Sequence, residues 1–193
     1  MSFIHQILFF DKDASKINIY KKILTSTKIS NKLFFINDDF ENLIKNNRVH
    51  IAISPANSYL SMTGGIDMAY AKLFPGIEDK LRSKLITKKY DTSTINYKGT
   101  NYILPIGKTI LAETGDKRCY FIMASPTMVT PKNIIGTNNV YHCMKAILKK
   151  ISIIDTQITI ACPCLGTGIG NLAAEKSAAQ IKKAIDEFIS GKI

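Results

Sequence analysis

Two rhythms of apolar residues alternate along this chain. Short continuous or alternating apolar runs predict strands at Phe3 to Phe10, Leu33 to Ile36, Val49 to Ser54, Thr109 to Thr114, Tyr120 to Ser125 and Gln157 to Cys162. Between them the apolar residues recur at helical spacing. Asp13 caps a helix that puts Ile17, Tyr20, Ile23 and Leu24 on one face, and Phe40 to Asn46 makes a short second helix. Gly65 to Phe74 is read as helical and stopped by Pro75-Gly76, and the next helix carries Ile77, Leu81 and Leu85 on one side. Thr137 to Lys150 and Leu172 to Ser190 are the last two helices, the second turning Ala174, Ala178, Ile181, Ile185 and Ile189 inward.

Two stretches break the alternation. Tyr90 to Gly107 is polar and rich in Thr and Asn, an excursion expected to hold an edge strand, while Ser125 to Pro131 is a loop. Asp116 with Lys117 makes the turn between two adjacent strands. Strand and helix in this order predict an α/β fold, a three-layer α/β/α sandwich with a mixed central sheet and helices on both faces. With no repeat and no linker, residues 1–193 are read as a single domain, a length that can close over one sizeable core.

Composition narrows the setting. No segment approaches the roughly 20 apolar residues needed to span a bilayer, so no membrane partner is expected. Met1 to Gln6 lacks a basic leader region and Ile7 to Phe10 is too short for a signal core, so the start reads as a strand and the protein as intracellular, in the cytoplasm. Cys119, Cys143, Cys162 and Cys164 follow no disulfide framework and are read as reduced thiols. Burial at the sheet edge is the expectation for Cys162 and Cys164; a thiol with a depressed pKa beside the glycine-rich loop that follows is the alternative. His5 and His50 fall in strands and His142 in a helix, with no clustered ligands, so neither a metal nor any other cofactor is expected.

The net charge of +11 changes the picture less than its size suggests. The lysines are scattered, with no arginine tract and no basic stripe interleaved with aromatics, so the charge is read as general attraction of polyanions. It favours the approach of an anionic nucleotide. A nucleic-acid partner is left open and not required.

Chemistry concentrates in two loops. The strand His50-Ile51-Ala52-Ile53 ends in Ser54-Pro55-Ala56-Asn57, and Gly64-Gly65 then opens a helix. Ile158 to Cys162 likewise leads into Gly166-Thr167-Gly168-Ile169-Gly170 ahead of the last helix. Glycines let backbone N–H groups approach an anion, and a helix start adds unpaired N–H groups with the positive end of the dipole. Both loops lie at the carboxyl ends of strands, where ligands of open α/β sheets bind. A ligand with two or more phosphates is the expectation.

The first loop resembles the macro-domain signature, Asn-Ala-Ala-Asn followed by glycines and Val-Asp-Gly, here Ser54-Pro55-Ala56-Asn57 and Gly64-Gly65-Ile66-Asp67. The second resembles the Ser-Thr-Gly-Ile-Tyr-Gly loop of the same family. The resemblance implies binding of ADP-ribose, or of an ADP-ribosylated macromolecule, with Gly166, Thr167, Gly168, Ile169 and Gly170 on the diphosphate. Ala56, Asn57, Gly64, Gly65 and Ile66 would close on the terminal ribose. It also implies hydrolysis there, removing a 1″-phosphate or releasing ADP-ribose from a macromolecule, with Asn57 positioning the sugar and Asp67 activating water. Asp67 can equally be a helix N-terminal carboxylate without catalytic duty, in a reader that binds and does not cleave. A basic nucleic-acid binder on the same scaffold is the third class.

The chain departs from the family pattern at Ser54-Pro55, in having two glycines rather than three, and in lacking an aromatic after Ile169. Adenine therefore needs another partner. The family's adenine-binding Asp maps onto Asp38 or Asp39, with an N-cap for the helix at Phe40 as the alternative for either. Thr127, Met128 and Pro131 either line the substrate side or only shape their loop.

Overall fold

The alternating apolar pattern folds into one six-stranded sheet between two helical layers. The computed structural model describes residues 6–192. Strands β1 (Gln6–Asp11), β2 (Leu33–Asn37), β3 (Val49–Ser54), β6 (Ile110–Asp116), β7 (Cys119–Ala124) and β8 (Thr159–Pro163) order as β2-β1-β8-β3-β7-β6. All neighbours are parallel except β6 and β7, so the sheet is mixed. Phe3 and His5 of the expected first strand lie outside the described residues.

Side-chain alternation divides the core. Along β1, Ile7 and Phe9 face one layer and Leu8 and Phe10 the other. The first layer is α1 (Ala14–Leu24), α5 (Asn139–Ile151) and α6 (Ala174–Ile189), and the second is α2 (Phe40–Asn46), α3 (Gly65–Leu73) and α4 (Ile77–Lys88). Of the inward residues read from helical spacing, Ile17, Tyr20 and Leu24 on α1 and Ala174, Ala178, Ile181 and Ile185 on α6 are buried, while Ile23 and Ile189 are partly buried at the core's margin. Each fully buried Ile, Leu or Phe stabilises the fold by roughly 1.5–3 kcal/mol. Asp13 caps α1 by accepting from the Ser15 amide at 2.9 Å.

The polar stretch after Tyr90 does hold strand, β4 (Asp91–Tyr97) and β5 (Thr100–Ile103), which pair with each other in a separate two-stranded sheet, turning through Lys98 and Gly99, both at positive φ. One expectation is corrected: Cys162 is not at a sheet edge, because β8 runs between β1 and β3 in the middle of the sheet. All four cysteines are free and buried. Among the described residues no helix is long and apolar enough to cross a membrane.

Candidate functional site

At the carboxyl ends of β1, β3, β7 and β8 the connecting loops enclose a cleft of about 400 Å³. The β3–α3 loop forms one wall with Ala56, Asn57, Gly64, Gly65, Ile66 and Asp67. Gly166 to Gly170 form the opposite wall. The walls nearly touch: a Cβ on Gly64 would stand 3.6 Å from Ile169 Cδ1. A second compartment of about 470 Å³ adjoins the first, sharing Asp11, Gly65, Ile66 and Pro163 with it and adding Phe10, Asp38 and Phe40.

The β8–α6 loop faces its carbonyls into the protein and leaves its amides over. Cys164 O accepts from Thr167 Oγ1, Leu165 O from Ser177 Oγ, Gly166 O from the Leu172 amide, Gly168 O from the Asn171 amide and Gly170 O from the Ile134 amide, at 2.6 to 3.0 Å. Among the described residues, the N–H groups of Gly166, Gly168, Ile169 and Gly170 have no partner. Two of the glycines are sterically required. Gly166 has φ +72°, and a Cβ there would lie 2.9 Å from Ile134 and Val140; a Cβ on Gly170 would lie 2.6 Å from Gly166 O. Unpaired amides beside the first turn of α3 make an anion cradle. Lys16 also lines it, 3.5 Å from Asp11.

The β3–α3 loop is braced by side chains instead. Asn57 Oδ1 accepts from the Tyr59 and Ser61 amides at 3.1 and 3.3 Å, and its Nδ2 donates to Ser61 O at 3.0 Å. One amide hydrogen of Asn57 is left over to donate elsewhere, while its oxygen is engaged twice within the loop. The Ser58 amide donates to Met128 O, Thr127 Oγ1 to Pro55 O and the Leu104 amide to Ser58 O. These bonds put Thr127, Met128 and Pro131 on the cleft, resolving them as lining residues. Behind the loop, Arg82 is 5 % exposed, donates to Tyr59 O at 2.7 Å and Tyr97 O at 2.6 Å, and stacks on the Tyr97 ring. Glu78 accepts from the Met62 amide at 2.9 Å and pairs with Lys98.

Asp67 sits in the first turn of α3, is 8 % exposed and accepts from Ser54 Oγ at 2.6 Å, across from the end of β3. Burial pushes its pKa up from 3.8 to about 7; the Ser54 hydrogen bond pulls down and Glu78 adds upward. The carboxyl group thus changes charge near neutrality. Of the two adenine candidates, Asp39 is the N-cap of α2, bonded by the Asn42 amide at 2.9 Å. Both line the second compartment, and Asp38 accepts from Asn42 Nδ2 at 3.0 Å. Cys164 lies on the cleft, but burial raises its thiol to about 12, which removes the reactive-thiol alternative. Sequence reasoning missed Asp11, Lys16 and Pro163. Asp11 and Pro163 end their strands at the ligand rim, and that position was the available signal.

The fold is shared with known proteins. The family model described as Macro domain matches residues 53–181, more than half of the chain, and the chain belongs to that family. It is similar to the macrodomain of Mycobacterium tuberculosis DarG, with 17 % identity over 74 % of this chain and 84 % of that one, at a TM-score of 0.57. A variant Oceanobacillus iheyensis macrodomain solved with ADPR gives 16 % identity, 73 % and 71 % coverage and a TM-score of 0.59. The same macrodomain with ADP gives 16 %, 75 % and 72 %, and 0.58. No curated protein sequence matches the chain. At these identities the structural likeness speaks for the fold.

Proposed function

We propose that the cleft binds ADP-ribose or a close derivative and that the protein hydrolyses at the terminal ribose. The observation that carries the binding is the β8–α6 loop, where the carbonyls of Cys164, Leu165, Gly166, Gly168 and Gly170 accept from protein donors while, among the described residues, the amides of Gly166, Gly168, Ile169 and Gly170 remain unpaired beside the start of α3. That cradle suits a diphosphate, and Lys16 adds a cation to it. Two adjoining compartments match a ligand with two ends. The terminal ribose would lie against Asn57, Gly64 and Asp67, and adenine between Phe10, Phe40 and Ile66 with Asp38 as acceptor for its amino group. The buried rings would replace the aromatic missing after Ile169.

Hydrolysis is supported by the state of Asp67. A base with a pKa of about 7 matches its proton affinity to neutral conditions. In the reaction, water adds to C1″ while the bond from C1″ to the leaving group breaks. The leaving group keeps the electron pair and Asp67 takes the water proton. The reader alternative draws on the same residue, since one carboxylate oxygen is already engaged by Ser54. The four buried thiols fit the reducing interior of a cell, the proposed setting.

Titration calorimetry with ADP-ribose, against AMP and ribose 5-phosphate, tests the binding. Selective micromolar affinity that weakens in Asn57→Ala is expected, and equal or absent binding of all three would refute it. Asp67→Ala should then abolish release of ADP-ribose or of 1″-phosphate while retaining the fold; turnover unchanged in that variant eliminates the catalytic role, and no turnover in the parent leaves a reader.

A further inference from the structure

A groove of about 630 Å³ lies apart from the cleft. It runs along the outer edge strand β6, between α4 and α5. Its walls carry Lys84 and Lys88 from α4, Lys108 from the β5–β6 connection, and Lys149 and Lys150 from the end of α5, with no Asp or Glu among the lining residues. Among the described residues none of these lysines forms an ion pair with a carboxylate. Lysines far apart in sequence are therefore gathered into one groove by the fold, a concentration that their scattered positions concealed.

A simpler duty accounts for one of them. Lys84 Nζ donates to Leu111 O at 2.8 Å, and its neighbour Lys80 donates to Glu113 O at 3.1 Å, so α4 lysines shield the open edge of β6. That explains neither Lys88 and Lys108 nor the pair on α5, which make no edge bond. Tyr90 adds a second kind of group: its half-exposed ring lines the same groove, with Lys88 Nζ 5.9 Å from its centre. A polar track of cations with an exposed aromatic ring is the composition that binds a phosphodiester backbone and stacks an unpaired base. The upper end of the groove, at Ile110, pairs with Ala124 at the end of β7, the rim on which the cleft also opens.

We propose that this groove binds single-stranded nucleic acid, the lysines contacting backbone phosphates and Tyr90 stacking a base. The inference stands apart from the ADP-ribose reading, because it uses none of the cleft residues. Fluorescence anisotropy with a labelled ~12-nucleotide oligo(dT) or oligo(U), over a range of salt concentrations, tests it on the full chain. The wild type should bind at least one of the two, more tightly than a duplex of the same length; whichever binds identifies the sugar. The triple variant K108E/K149E/K150E should lose at least tenfold in affinity, and its salt dependence should flatten by about 2 in log–log slope, from ~0.7 per lost phosphate contact.

The triple variant K21E/K22E/K176E changes net charge equally on exposed positions elsewhere and should lose much less. Tyr90→Ala should weaken binding about tenfold with the slope retained. Equal losses in the two triple variants would overturn the proposal in favour of diffuse charge. So would a preference for duplex, no binding of either oligomer, or an unaltered Tyr90→Ala. ADP-ribose affinity measured on the groove variant separates the two sites: it should stay at the wild-type value whatever the oligonucleotide does.

Discussion

The two walls of the cleft meet the same ligand-sized space with opposite constructions. The Ser54–Gly65 wall is held by side chains: Asn57 folds onto its own loop, Arg82 and Glu78 brace it from α4, and Thr127 ties it to the β7–α5 loop. Strain is accepted there, with Ala56 and Leu60 at positive φ. The Gly166–Gly170 wall is held through its own carbonyls and by apolar packing against Ile134 and Val140, leaving its amides open. The difference teaches a division of labour. A wall that fixes one carboxyl group in place needs many long-range bonds, whereas a wall that leaves several amide donors open needs its backbone free and its side chains absent.

The largest way to test the braced wall is to remove the charge it holds. The folded protein binds the Asp67 proton more tightly than the unfolded chain does, since burial lifts the pKa from 3.8 to about 7. Stability contributed at acid pH is therefore lost as pH rises between about 4 and 7 and stays lost above it. At roughly 1.4 kcal/mol for each tenfold change in proton affinity, the difference comes to ~4 kcal/mol. Asp67→Asn should erase that slope and be the more stable protein at pH 8, measured by urea unfolding at several pH values. A slope that persists in the variant would place the titration elsewhere.

The open wall breaks by adding one carbon. Gly170→Ala brings a Cβ to 2.6 Å from Gly166 O, where backbone has to move, at a cost of about 3 kcal/mol. It should abolish ADP-ribose binding. Gly168→Ala meets nothing within 4 Å and should leave stability within about 0.5 kcal/mol of the parent. If the two alanine variants unfold and bind alike, the loop is not the steric unit described. On the braced wall the matching test is Arg82→Met, which leaves Tyr59 O and Tyr97 O without their donor. A loss of about 2 kcal/mol, or a fall in melting temperature of about 5 °C, is expected.

That contrast also explains what could be read from the chain. Strand and helix positions were legible because Ile7 to Phe10, Ile51 to Ile53 and the α6 stripe obey simple periods. The glycine wall was legible because its geometry resides in backbone, and backbone freedom is written as Gly. The braced wall was not. Arg82 reaches Tyr59 O and Glu78 reaches the Met62 amide through a chain reversal that no local pattern encodes. The internal bonds of Asn57 depend on the tight loop that follows it. The choice between Asp38 and Asp39 turns on which carboxylate meets the Asn42 amide, a matter of one residue in helix phase. Strand order was hidden as well: β8, last in sequence, inserts between β1 and β3 and so brings its loop opposite the first.

The smallest expected effect sharpens the comparison most, because it asks what the braced wall does to its carboxyl group rather than whether the wall stands. Ser54 occupies the position of the first Asn in the family signature, and its Oγ donates to Asp67 at 2.6 Å. A bond to the ionised form stabilises that form, so Ser54 holds the pKa of Asp67 below where burial alone would set it. Ser54→Ala removes the donor and leaves a small void, costing no more than about 1 kcal/mol at acid pH, where Asp67 is protonated in either protein. Above neutrality the ionised group loses its partner, and the pH range over which stability falls extends upward. If Asp67 acts as a base, the acid limb of the pH–rate profile moves to higher pH by the same cause, with the plateau rate little changed. A loss of rate that is uniform in pH would mean that Ser54 aligns the carboxyl group without tuning it, and a profile identical to the parent's would remove Asp67 as the titrating base.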